Sequence, residues 1–261
     1  MKRVVIISDM HCGHRAGLTP PKWQYGDGTG DDERSGFARN QRILWDWFTE
    51  KIDALRPIDC LFVNGDAIDG KGLRSGGTEQ LEADRSKQAE MAAEVIDYIG
   101  ADKIVMTYGT PYHTGQEEDW ERVVSDRVNA EKIGGHEWPE VNGVIFDLKH
   151  KIGSSTIPHG RFTALARDAL WNELWAIRKG QPKARVLIRS HVHYYVAIDT
   201  PQMLGMITPA LQGWGSKYGV RSCSGLVDIG FIHFDVEEDG NFTWTKHILN
   251  PGQAPEMILP L

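Results

Sequence analysis

Aspartate and histidine recur along this chain just beyond its apolar runs, often in closely spaced pairs. Asp9 and His11 are two residues apart, and so are His191 and His193. Asp66 and Asp69 fall three apart within Gly65-Asp66-Ala67-Ile68-Asp69, while His113 and His150 stand singly. Two imidazoles at i and i+2 point to one side of a continuing strand. At a strand end, where the backbone turns, they can splay towards two ions. Mixed Asp and His donors suit borderline divalent cations such as Mn, Fe, Co, Ni or Zn, whereas an all-oxygen set would suit Mg or Ca. Six or more such groups at the ends of successive strands can hold two metals sharing a carboxylate. Ions about 3.5–4 Å apart are the usual device for in-line displacement at phosphorus. Each residue alone also reads as an ordinary polar strand exit, so it is the series that carries the metal reading. No Ser-His-Asp signature and no glycine-rich phosphate loop competes with it.

The elements that must position these groups are legible from periodicity. Arg3 to Ser8 reads as a first buried strand, Ile58 to Val63 as a second and Lys103 to Thr107 as a third. Val144 to Lys149 and Ala184 to Arg189 follow, and each of the five runs into one of the motifs. Open α/β sheets place their ligands at such strand ends. Between them lie helical patterns. Leu44, Phe48, Ile52 and Leu55 share one face of a helix from Phe37 that ends at Pro57. Gln88, Met91, Ala92, Val95 and Ile99 mark another, and Gln116 to Ala130 a short one with Trp120, Val123, Val124 and Val128 inward. Phe162, Leu165, Ala166, Ala169, Leu170, Leu174 and Ile177 mark a long amphipathic helix closed by Gly180 and Pro182. The later texture is β-rich: Tyr194 to Thr200, Met203 to Thr208, Leu226 to Val236 and Phe242 to Leu249. Glycine turns break it, with a flexible stretch at Arg221 to Gly225.

Residues 13 to 36 form a long loop in which Pro20-Pro21 and several glycines forbid regular structure. Trp23 and Tyr25 there either pack the loop down, the favoured reading, or offer a stacking surface. Lys71 and Arg74, in a second glycine-rich loop, face solvent or a substrate phosphate. The chain has 261 residues, 41% of them hydrophobic and 25% charged, as an ordinary globular protein does. It shows no repeat and no linker, and reads as a single domain over residues 1–261. No apolar run approaches the ~20 residues that span a bilayer, so no membrane partner is expected. Cys12, Cys60 and Cys223 lack CxxC spacing, which fits a reducing cytoplasm. The net charge of −7 gives no global attraction to nucleic acid. Bound cations would nevertheless make a site locally positive.

The order D-x-H, G-D-x-x-D, G-N-H, H, G-H-x-H resembles the calcineurin-like metallophosphoesterase superfamily over roughly residues 3 to 236. It appears here as Asp9-Met10-His11, Gly65-Asp66-Ala67-Ile68-Asp69, Gly109-Thr110-Pro111-Tyr112-His113, His150 and Ser190-His191-Val192-His193. The resemblance implies an α/β fold, a four-layer α-β-β-α sandwich with its site at the strand ends. It implies that Asp9, His11 and His193 hold a first divalent metal, that Asp66 bridges, and that His150 and His191 hold a second. Mn is the first expectation, with Fe, Zn, Ni or Co as alternatives. Two departures stand out. Ser190 replaces a glycine. Thr110 takes the place of the family's ligand asparagine, and Pro111-Tyr112 intervene before His113. Thr110 or a water would then complete the second site, and His113 is the candidate catalytic histidine. His159, followed by Gly160, competes with His150 for the fourth motif. His14, His136, His233 and His247 read as surface or satisfied structural residues.

The expected reaction is phosphoester hydrolysis. His113 would protonate the leaving oxygen or hold the phosphate, and Asp69 would orient a ligand or else cap the next turn. Arg189 or Arg161 would stabilise the phosphoryl oxygens. A phosphodiester of nucleic acid or a nucleotide is the leading substrate class. A phosphomonoester is the alternative, and a binding scaffold without catalysis is a third reading.

Overall fold

The computed structural model describes residues 1–115, 119–217 and 227–250. The expected flexible stretch Arg221 to Gly225 with Cys223, the strand start at Leu226 and the helix start at Gln116 lie outside the described residues, as does the side chain of Arg74.

Two sheets face each other. The first has the order β11 (Phe242–Leu249), β10 (Ile229–Val236), β1 (Lys2–Ile7), β2 (Cys60–Asn64), β3 (Lys103–Thr107) and β4 (Lys132–Gly134). The second runs β5 (Glu140–Val141), β6 (Val144–Leu148), β7 (Val186–Arg189), β9 (Leu204–Ile207) and β8 (Val196–Asp199). Strands β1 to β4 pair in parallel, as do β6, β7 and β9, while β10, β11, β5 and β8 join antiparallel.

Alternation along the strands decides the layers, because successive side chains leave opposite faces. Val4, Ile6, Cys60 and Phe62 turn inward onto Phe146, Leu148, Val186 and Ile188, filling the space between the sheets. Val5, Ile7, Leu61 and Val63 turn outward, under α1 (Glu33–Leu55), α2 (Arg85–Ile99) and α4 (Trp120–Arg127). On the far side α5 (Arg161–Ile177) sets Leu165 against Val196 and Ile207. The result is the four-layer α-β-β-α sandwich.

Helix α1 starts earlier than the apolar periodicity suggests. Asp32 caps it, accepting the Ser35 N–H at 2.7 Å, so the long loop ends at residue 32 rather than 36. Trp23 packs against the outer core, and its Nε1 donates to Glu94 at 3.2 Å. Tyr25 lies under the Arg34 guanidinium at 4.7 Å. The Pro111-Tyr112 insertion forms one helical turn, α3 (Pro111–Thr114). Helix α5 corrects the sequence expectation. Of the residues assigned to its inner face, Phe162, Leu170, Leu174 and Ile177 are exposed, while Leu165 and the unforeseen Asn172 are buried. The Asn172 amide bonds both the N–H and the C=O of Ala184, which satisfies it in the core.

Candidate metal centre

All five motifs leave the carboxyl ends of parallel strands: β1 delivers Asp9 and His11, β2 Asp66 and Asp69, β3 Thr110 and His113, β6 His150, and β7 His191 and His193. Backbone bonds lace the first two exits together, with the N–H groups of Asp9, His11 and Cys12 donating to the carbonyls of Gly65, Asp66 and Ala67 at 3.0 Å each. Five of the candidate ligands, Asp9, His11 and Asp66 within this lacing and His191 and His193 beyond β7, lie in the left-handed region. Their φ values are 50° at Asp9, 45° at His11, 50° at Asp66, 78° at His191 and 54° at His193. Non-glycine residues enter that region at a cost, and such strain concentrates at functional sites. Gly109 is glycine because a Cβ there would collide with the Asp66 carboxylate.

The side chains converge as two adjoining groups, Asp9–His11–His193 and Asp66–His150–His191. In the first, Asp9 Oδ1 is 3.2 Å from His193 Nε2 and 3.9 Å from His11 Nε2, and the two Nε2 atoms are 3.3 Å apart. Asp9 Oδ1 is buried and makes no hydrogen bond. Donor atoms bound at about 2.0–2.2 Å to one ion lie about 3–4 Å from each other. An orphaned carboxylate oxygen facing imidazole nitrogens at that spacing therefore fits a divalent cation. In the second group Asp66 Oδ2 is 2.9 Å from His150 Nε2 and 3.9 Å from His191 Nδ1. The other His150 nitrogen donates to the Asn64 carbonyl at 2.7 Å, which fixes the ring. His159 lies exposed in the turn Pro158–Gly160, away from the cluster.

The electrostatics match a cation site. Burial opposes ionisation of Asp66, yet the facing His150 and His113 outweigh it and hold the carboxyl well below its usual range. Burial would lower His150, but Asp66 and Asp9 raise it to about 10. His11 is pushed down to about 4 by burial and by His113. Ions bound between these carboxylates would balance a charge that is otherwise costly to bury.

Thr110 turns both its N–H, 2.7 Å from Asp66 Oδ1, and its hydroxyl, 3.3 Å from the same atom, onto the Asp66 carboxylate. His113 donates from Nδ1 to the Asp69 carbonyl at 2.7 Å, and its Nε2 lies 4.0 Å from Asp66 Oδ2. His11, Asp69 and His113 form a third close trio. Asp69 Oδ1 faces His11 Nδ1 at 3.5 Å. It caps no helix, since α2 is capped by Asp84.

Arg189 corrects the sequence reading. On β7 it points away from the intersheet space, bonding Asp147 at 2.7 Å and Asp168 at 2.8 Å, so it ties strands to α5 and does not face a phosphate. Arg161 stacks over Tyr194 at 4.3 Å and does not line the cavity above the cluster. That cavity, about 600 Å³, takes its cations from Lys151 and Lys217, which sequence reasoning passed over. His14 also lines it, buried and 3.8 Å from Glu79.

Glu121 was missed as well. Fully buried on α4, it accepts the Ala67 N–H at 2.7 Å and the Gly109 N–H at 2.6 Å, joining the exits of β2 and β3. Burial and the Asp66 charge push its carboxyl up to about 7. The signal was present, since Glu121, Val124 and Val128 are spaced i, i+3, i+7 on the apolar face.

No protein-family model matches the chain, and no curated protein matches it. Solved structures match over most of its length. Vps29 from Entamoeba histolytica complexed with Zn²⁺ is 14% identical, covering 95% of this chain and 99% of that one, with a TM-score of 0.49. A novel archaeal phosphodiesterase is 14% identical, covering 94% and 99%, with a TM-score of 0.42. A predicted phosphoesterase from Streptococcus pneumoniae is 12% identical, covering 94% and 98%, with a TM-score of 0.38.

Proposed function

We propose that this chain is a metal-dependent phosphoester hydrolase of the calcineurin-like metallophosphoesterase superfamily, acting on phosphodiesters of nucleotides or nucleic acid. One observation carries the reading: two three-donor groups, Asp9–His11–His193 and Asp66–His150–His191, buried except for the half-buried His191, stand side by side beneath an open cavity. Asp9, His11 and His193 would hold one divalent ion and His150 and His191 a second, with Asp66 between; Mn is the first candidate. Such a pair of ions supplies Lewis acidity towards phosphoryl oxygens and an activated water.

The chain's own residues do the rest. Thr110 and its backbone N–H orient Asp66. Asp69 faces His11 with its carboxylate at 3.5 Å and holds His113 by its carbonyl. With Nδ1 committed to that carbonyl, His113 presents Nε2 as the atom that hands a proton to the leaving oxygen. Lys151 and Lys217 border the cavity where the remainder of an anionic substrate would lie. No helix among the described residues is long and apolar enough to cross a membrane.

The test is metal content and hydrolysis of wild type against Asp66→Asn, with saturating Mn and with both a bis-nitrophenyl diester and a nitrophenyl monoester. Wild type should bind two equivalents and prefer the diester. Asp66→Asn should lose metal and at least ~10³-fold in rate, since a neutral amide cannot serve two cations. Full activity in the variant would end the binuclear reading. Metal uptake by wild type without hydrolysis of either ester would leave a binding scaffold.

A further inference from the structure

The outer face of α5 has the composition of a core and, among the described residues, nothing over it. Phe162, Leu170, Trp171, Leu174, Trp175 and Ile177 are between 40% and 76% exposed. At 100° per residue, Leu170, Leu174 and Ile177 form a stripe with Ala166 and Thr163, opposite the buried Leu165 and Asn172. Trp171 and Trp175 flank that stripe with ring centroids 6.3 Å apart. The helix therefore has two apolar faces, one seated on the second sheet and one in water.

We infer that a second copy of this chain covers this face, the two α5 helices packing antiparallel about a two-fold axis near Leu170. Area is the first argument. With full side-chain areas of about 150–250 Å², the six residues expose roughly 600 Å², the upper limit for a patch on a monomer. Interface cores are about 65% apolar, so such a patch belongs to roughly 900 Å² per partner, against the ~800 Å² that stable pairs bury. Shape is the second. An antiparallel pair centred on Leu170 sets Leu174 and Ile177 of one copy level with Ala166 and Thr163 of the other, large against small. A two-fold contact requires that kind of self-complementarity.

Sedimentation equilibrium of the full chain across the micromolar range tests the pairing. The expected mass is twice the 29.3 kDa of one chain. Leu170→Glu should return it to one chain mass, weakening association at least ~100-fold by burying two facing carboxylates, while the far-UV circular-dichroism spectrum of the folded chain is kept because Leu170 is exposed. Leu170→Cys, beside the two-fold axis, should give an oxidant-dependent covalent dimer that the wild type does not. A wild-type chain of single mass throughout the range overturns the inference. So does a dimer that Leu170→Glu leaves intact, or a monomer that floats with phosphatidylserine vesicles.

Discussion

His113 and Thr110 show what an insertion does to a motif at the residue level. The two residues that separate them are absorbed as the turn α3, which leaves Thr110 on the Asp66 carboxylate and His113 beside His11, with ring centroids 4.4 Å apart. If His113 protonates the leaving group, the loss on mutation depends on how poor that group is. His113→Gln should keep both metals and cleave an activated nitrophenyl diester at a moderately reduced rate. On an unactivated dinucleotide the loss should reach about 10²–10⁴-fold. Equal losses on the two substrates would leave phosphate positioning as its role, and a lost metal would make it a ligand. The motif residues were legible because Asp and His pairs beyond apolar runs are rare by chance. Arg189 was misread because sequence gives a residue's type and strand but not what lies over the strand. Asp168, from α5, claims it.

Glu121 acts between elements. Its two oxygens take N–H groups from two strand exits, adding to the bond that joins the Thr110 N–H to Asp66. Glu121→Ala strands both donors. Each unsatisfied buried group costs about 1–3 kcal/mol, so denaturant unfolding of the metal-free chain should show a loss of about 2–6 kcal/mol. Mn titration should show weaker retention, because the loops carrying Asp66 and Thr110 are then joined by fewer bonds, the Thr110–Asp66 contact among those that remain. Glu121→Gln keeps one acceptor but sets an NH₂ against the other donor, and should fall between. Unchanged stability in Glu121→Ala would remove the clamp. The pairing of β10 with β11 carries a different consequence. His247 stacks on Phe231 at 4.6 Å and meets His233, with Nδ1 and Nε2 2.8 Å apart. Burial, then His233 and Lys51, lower His247 to about 4, and burial lowers His233 too. Both imidazoles are thus neutral in the fold. Their contribution is full above the ordinary value of about 6.5 and is lost as pH falls from there through about 4. His247→Phe keeps the ring packing and removes one of the two groups. Its melting temperature should fall less than that of the wild type between neutral pH and pH ~4.5. Parallel curves would rule out the pair as an acid sensor of stability.

At the scale of the whole molecule, the sequence by itself determined the strands that carry the motifs and the chemistry at their ends. Period-two and period-3.6 patterns are local properties, and a ligand must be an Asp or a His wherever it folds. The five apolar runs named from sequence are β1, β2, β3, β6 and β7, and each ends at its motif. Only the tertiary structure decided which donors stand together. Asp9 meets His193 across 184 positions of chain because β1 and β7 lie in facing sheets, and no local pattern encodes that distance. It also separated His150 from His159, setting one ring buried against Asp66 and the other in solvent. Burial is a property of what packs above a residue. For that reason seven apolar residues of α5 read as core from sequence, and of those seven the fold buried only Leu165.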